Sequence, residues 1–122
     1  MTLDEILEAT DAELLVEPPF YIDVDAACAS DLMSDVLVFV KPNMLLVTGL
    51  TNPQAIRTAD MAEAPVVLFV RGKHPSNETL QLAEEMGIGV LMSPYTMFDA
   101  AGRLYQAGLK GIGKLPIMRQ GG

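Results

Sequence analysis

Arg71-Gly72-Lys73-His74 sets three cationic or protonatable side chains around one glycine, and a glycine lets the backbone come close to a ligand. With helix N-termini expected nearby at Asn52 and Ser93, this tetrapeptide has the chemistry to hold an anion. The plainer reading, a solvated basic turn that balances an acidic surface, carries the greater weight. Asp31 and Asp35 stand four residues apart, on one face of an expected helix, and with Asp23 and Asp25 they supply the oxygen ligands that suit a hard divalent cation. Neither the glycine nor the terminal glutamate of an EF-hand loop accompanies them. A charged helix start and a solvated face therefore outweigh a metal site.

Cys28 is the only cysteine and His74 the only histidine. One of each makes neither a His-rich metal site nor a paired-cysteine site within one chain. A Cys–His nucleophile pair requires the two to meet within hydrogen-bond reach, and a buried structural cysteine beside a loop histidine is the more ordinary arrangement. The patterns G-x-S-x-G, G-x-x-x-x-G-K-S/T and G-x-G-x-x-G do not occur. Gly108, Gly111 and Gly113 follow an expected helix rather than a strand, so they do not build a phosphate loop. The residues assign no catalytic group and no metal ligand, and they leave the cofactor unknown.

These groups need a scaffold, and its elements are written in the spacing of apolar residues. Residues 3 to 9 predict a short helix with Leu3, Ile6 and Leu7 on one face, and strands are expected at Leu14 to Val16 and Phe20 to Val24, separated by Pro18 and Pro19. Ser30 is the expected N-cap of the next helix, with Asp31 in its first turn. Val36 to Val40 alone reads as a strand, but Lys41-Pro42-Asn43 is a turn and Met44 to Thr48 is the better strand. Asn52-Pro53 predicts a capped helix start, followed by Ile56, Ala59 and Glu63 at helical spacing. Residues 65 to 70 form a continuous apolar run, as a strand covered on both faces requires. Ser76 or Asn77 caps a helix that Gly87 ends, and residues 88 to 92 read as another buried strand. A last helix is expected to start at Ser93-Pro94, to carry Met97, Phe98, Ala101, Leu104 and Tyr105 as its stripe, and to stop at Gly108. Met33, Met61, Met86, Met92 and Met97 fall on expected apolar faces, whereas Met44 and Met118 are not placed by the pattern. Strand–helix alternation over residues 44 to 108 implies parallel strands joined by right-handed crossovers. The expected fold class is α/β, a layered sandwich with a mostly parallel sheet, and in such folds ligands bind beyond the carboxyl ends of the strands.

Length and charge narrow the setting. The chain has 122 residues, 50% hydrophobic and 20% charged, with a net charge of −8, which suits a single domain that needs neither disulfide nor structural metal. An acidic balance disfavours nucleic acid and anionic membranes, because phosphate binding needs clustered Lys and Arg. No apolar run is long enough to span a bilayer, and the acidic start is the reverse of a secretory signal, so a cytoplasmic location is expected. Residues 1 to 40 hold ten carboxylates and no Lys or Arg, and no acid follows Asp99. Lys110, Lys114 and Arg119 lie in a glycine-containing segment over 110–122, expected as a basic extended tail that folds back on the acidic part or reaches a partner.

The segments ASDLMSDVL (29 to 37), MLLVTGLTNP (44 to 53), PSNETLQLAEEMGIGVLMS (75 to 93) and TMFDAAGRLYQAGL (96 to 109) resemble the DRTGG domain family in order and spacing along most of residues 1 to 109. The resemblance implies an α/β domain like the N-terminal domain of HPr kinase/phosphorylase, itself similar in fold to the uridine-nucleotide-binding N-terminal domain of some Mur ligases. Family members occur beside CBS domains, ahead of phosphotransacetylase, and as stand-alone proteins encoded near iron-only hydrogenases; no catalytic activity is established for the domain. The matching residues here are Ser30, Asp31, Ser34, Asp35, Thr48, Gly72, Pro75 and Gly102-Arg103-Leu104-Tyr105. The chain departs from the family at Ala26-Ala27, where a glycine pair is usual, and at Asn52-Pro53-Gln54, where His-Pro-Asn is usual. Residues 110–122 lie outside the resemblance.

Residue chemistry and resemblance together point to a non-catalytic regulatory or ligand-sensing module for a small anionic or nucleotide-like ligand. The expected contacts are Ser30, Asp31, Asp35, Thr48, Asn52, Arg71, Gly72 and Ser93. A homodimer is the expected assembly. The alternative is a dimeric scaffold or accessory protein that docks on a metabolic or hydrogenase-related enzyme. An enzyme built on Cys28 or His74 has the least support.

Overall fold

The apolar runs at Met44–Thr48, Val66–Phe69 and Gly89–Met92 become strands β3, β4 and β5, lying side by side and parallel. A computed structural model of the chain describes residues 1–115 and 117. Helix α1 (Leu3–Thr10) leads into β1 (Glu13–Val16), β2 (Ala26–Ala29) and helix α2 (Met33–Phe39), while α3 (Pro53–Met61), α4 (Asn77–Met86) and α5 (Met97–Gln106) alternate with the later strands. The sheet order is β1-β5-β4-β3-β2. β1 runs antiparallel along one edge and β2 parallel along the other. The α/β sandwich with a mostly parallel sheet is therefore the observed architecture. Among the described residues no helix is long and apolar enough to cross a membrane.

Alternation along the strands divides the core. Leu46, Val67, Phe69 and Val90 face a layer made by α2, α3 and α4 through Val36, Ile56 and Ala83. Leu45, Val47, Leu68 and Leu91 face α1 and α5 through Ile6, Ala100 and Leu104. Successive side chains of a strand point to opposite faces, so each central strand must be apolar throughout to serve both layers. Local signals hold the helices in register. Asn52 Oδ1 accepts from Gln54 N with Pro53 in the first turn, Ser76 Oγ accepts from Thr79 N, and Gly87 closes α4 at φ +70°.

Several sequence expectations require correction. Phe20 to Val24 is not a strand: its only ladder contact is one bridge from Asp23 to Thr2, because Val24 N donates to Met1 O and the N-terminal ammonium binds Asp23 and Val24 O instead. The strand in this region is β2, made of Ala26, Ala27, Cys28 and Ala29. Small side chains give it no β-branched signature, and pairing with β3 creates it. Ser30 is not the cap of α2. That place belongs to Leu32, and Ser30 Oγ accepts from Leu32 N one step earlier. The far end of this helix, which the sequence left open, lies at Phe39, and Met44–Thr48 is the strand that follows. Glu63 lies beyond α3 at φ +59°. The last helix begins after Thr96, not at Ser93-Pro94. It buries Ala100 and Leu104, whereas Phe98 and Tyr105 are exposed. The inward face of α5 meets the sheet and α1 through Ala100 and Leu104, and Phe98 and Tyr105 fall on the opposite side. Met61 and Met86 are exposed, while Met33 and Met44 are core residues; Met118 and Arg119 lie outside the described residues.

Candidate functional site

The parallel strands end together on one rim, which gathers Ser30 and Asp31 after β2, Thr48 and Gly49 at β3, Arg71 and Gly72 after β4, and Ser93 after β5. Much of this chemistry is consumed by the fold. Asp31 Oδ1 accepts from Thr48 Oγ1 at 3.0 Å and from Gly49 N at 2.7 Å, and Thr48 Oγ1 accepts in turn from Leu50 N. This chain of bonds ties the exit of β2 to the exit of β3. Ser93 is fully buried; its hydroxyl donates to Thr10 O at 2.7 Å and accepts from Tyr95 N. Arg71 N donates to Tyr95 O and Gly72 N to Ser93 O, with both residues at positive φ, 67° and 65°. Their amides thus lock the β4 and β5 loops together and are not offered to an anion.

The Arg71 guanidinium lies across Gly49, where a Cβ would meet it at 2.9 Å. Asn52 is occupied as the cap of α3. Tyr95 Oη donates to Asp11 Oδ2 at 2.8 Å, which pushes the phenol up from its ordinary value.

The carboxylates that the sequence offers to a cation are engaged separately. Asp23 binds the N-terminus, Asp25 accepts from Asn43 Nδ2, and Asp31 serves Thr48 and Gly49. Among the described residues no group of three or more His, Cys, Asp or Glu side chains is placed to hold a metal ion. The Cys28–His74 pair does not form: β3 lies between the strand of Cys28 and the strand that precedes His74, and His74 Nδ1 donates to Pro75 O at 2.8 Å.

Two of the expected contacts, Ser30 and Asp35, come together elsewhere. They line a cavity of about 730 Å³ that wraps the free edge of β2, with Phe39 on the α2 side and Tyr105 and Lys110 on the other. Its outer wall is the start of the C-terminal segment. Ala27 N donates to Lys110 O at 2.9 Å, so the backbone of Lys110 extends the sheet by one parallel bridge to Ala26. The Lys110 ammonium sits 4.6 Å from the centroid of the Tyr105 ring, where the ring quadrupole attracts it. The segment thus begins by folding back on the acidic half of the chain. Sequence reasoning missed Tyr105 and Lys110 as site residues. The basic tail that follows an exposed aromatic was the available signal, but neither residue lies near the other's partner strand in sequence.

Cys28 also lines this cavity. Burial pushes its thiol up from the ordinary value, and the Asp35 carboxylate adds to the rise. A raised thiol pKa leaves less thiolate near neutrality. Alkylation of Cys28 by iodoacetamide at pH 8 is therefore expected to be slower than that of N-acetylcysteine, and faster in Asp35→Asn than in the natural chain. Mass-spectrometric time courses check both; a natural Cys28 that reacts as fast as the free thiol contradicts the burial argument.

No protein-family model and no curated protein matches the chain. Among solved structures it is similar to the CBS and DRTGG domains of the regulatory region of a Clostridium perfringens pyrophosphatase, described in complex with its activator, diadenosine tetraphosphate. The sequences are 17% identical, the TM-score is 0.70, and the match covers 87% of this chain and 46% of that one. The chain spans less than half the length of that structure. What the two share is the architecture: this protein has a DRTGG-like α/β fold.

Proposed function

We propose that the chain is a non-catalytic regulatory module that binds a small anionic or nucleotide-like ligand in the cavity at the free edge of β2. The observation that carries this reading is the convergence of Asp35, Ser30 and the Tyr105-held Lys110 ammonium on one open cavity. Its size lies within the range of small-molecule sites, roughly 300–1,000 Å³. Among the described residues the cavity holds no cysteine–histidine pair: burial raises the pKa of the Cys28 thiol, and His74 is bonded to Pro75 O. The pyrophosphatase region of similar fold is a regulatory one crystallised with a nucleotide activator, which agrees with a sensing role.

A thermal-shift screen of nucleosides, nucleotides and phosphorylated metabolites tests the proposal. A ligand that binds only the folded state at about 100 times its Kd stabilises by about 2.7 kcal/mol, a readily measured rise in Tm. Uniform absence of stabilisation overturns ligand sensing. It leaves the second reading, a homodimeric accessory protein that docks on a metabolic or hydrogenase-related enzyme, which the exposed neighbours Leu37 and Val38 of α2 support.

A further inference from the structure

Resting on that reading, we propose that the ligand of the edge cavity is a nucleoside monophosphate, with its base against the free edge of β2, its ribose at Asp35 and its phosphate on Lys110. The β2–β3 register pairs Ala27 with Leu45 and Ala29 with Val47, and Ser30 N donates to Val47 O. The groups of Cys28 and Ser30 therefore face β3, while the amide of Ala29 and the carbonyl of Ala27 face outward. Neither has a hydrogen-bond partner among the described residues. Gly111 passes beside the Ala27 carbonyl with no side chain to cover it. The cavity floor thus presents one main-chain donor and one acceptor side by side, a pattern that matches the edge of a nucleobase and that a ligand without an adjacent donor and acceptor leaves unsatisfied. Phe39, one helical turn after Asp35, supplies a ring at the same wall, and aromatic faces stack with any base.

The charged groups select the rest of the ligand. The Asp35 carboxylate is exposed, lines the cavity and has no hydrogen-bond partner among the described residues. An ionised carboxylate only accepts hydrogen bonds, so it repels phosphate and suits the two hydroxyl donors of a ribose diol. Among the described residues that line the cavity, Lys110 carries the cation, a point charge of the kind that binds phosphate. Tyr105 acts on it as a positioning residue through the ring contact. One ammonium and one carboxylate lining the same cavity favour a single phosphate over a polyphosphate chain, whose further charges would meet Asp35.

Isothermal titration of the full chain with AMP, GMP, CMP and UMP, with the matching nucleosides and with the 2′-deoxy monophosphates, tests this assignment on the natural protein and on Lys110→Met and Asp35→Asn. Both side chains are exposed, so the variants are expected to fold normally, with Tm as the control. Lys110→Met is expected to weaken the monophosphate about tenfold, a difference of about 1.4 kcal/mol, and to leave the nucleoside unchanged. Asp35→Asn is expected to weaken the ribonucleotide while sparing its 2′-deoxy analogue. Equal affinities in the natural chain and both variants overturn the assignment. So does stabilisation by a non-nucleotide metabolite with no binding of any monophosphate, a result that leaves the regulatory reading standing. No stabilisation by any compound removes both.

Discussion

Replacing Phe69 with alanine is expected to destabilise the protein by about 3–5 kcal/mol, the cost of deleting a fully buried aromatic ring and leaving a cavity behind. Phe69 is the largest side chain with no exposed surface. It stands at the end of β4, paired with Thr48 on β3 and Met92 on β5, and it packs into the layer formed with α2, α3 and α4. Its carbonyl also accepts from Ser93 N, so the ring supports the same strand ends that carry the rim loops. Urea denaturation read as a fall in midpoint at constant m checks the value, since an unchanged m keeps the comparison between the same two states. A loss below about 1 kcal/mol, the scale of a surface substitution, would mean that this face of the sheet is not closed over Phe69. Phe69→Leu keeps much of the volume and is expected to lose markedly less.

Asp31→Ala comes next, with an expected loss of about 2 kcal/mol. The substitution removes the acceptor of two hydrogen bonds and strands a buried Thr48 hydroxyl and the amide of Gly49; unsatisfied groups of this kind cost about 1–3 kcal/mol each where water cannot replace the partner. Asp31 itself is exposed, so water reaches part of the site and the sum falls short of two full penalties. Asp31→Asn retains a carbonyl oxygen in the same place but loses the charge assistance, and about half the effect is expected. Chemical denaturation gives the magnitudes, and hydrogen exchange at Gly49 locates them: its amide should exchange faster in Asp31→Ala than in Asp31→Asn. Equal exchange in the two variants would show that the carboxylate is not what protects the strand end. Asp31, which the sequence placed among ligand contacts, has its oxygen engaged by the fold; Asp35, four residues on, keeps its carboxylate in the cavity.

That contrast marks how far the sequence reaches. The signals that act within a turn of chain were legible: Asn52-Pro53 opens α3, Ser76 caps α4, Gly87 ends it, and three continuous apolar runs become the three central parallel strands. Each depends on the local backbone, or on the need for a strand buried on both sides to be apolar at every position, and neither requires knowledge of a distant partner. The α/β class followed from their alternation.

The rest waited for tertiary contacts. Four small residues make β2 only because β3 offers its open edge, whereas Ile22 and Val24, which look more like strand residues, are held by the first residues of the chain instead. Phe98 and Tyr105 are the aromatic groups of α5, yet Ala100 and Leu104 face the sheet and α1. Ser93 and Asp31 both carry polar side chains, and the bond to Thr10 and the bonds to Thr48 and Gly49, which tie both into the fold, link residues far apart in sequence. The cavity likewise exists only where β2, α2, α5 and the backbone of Lys110 meet. A hydrogen bond or a packed face between distant segments depends on three-dimensional separation, which residue spacing does not encode; caps, turns and periodicity depend on spacing alone.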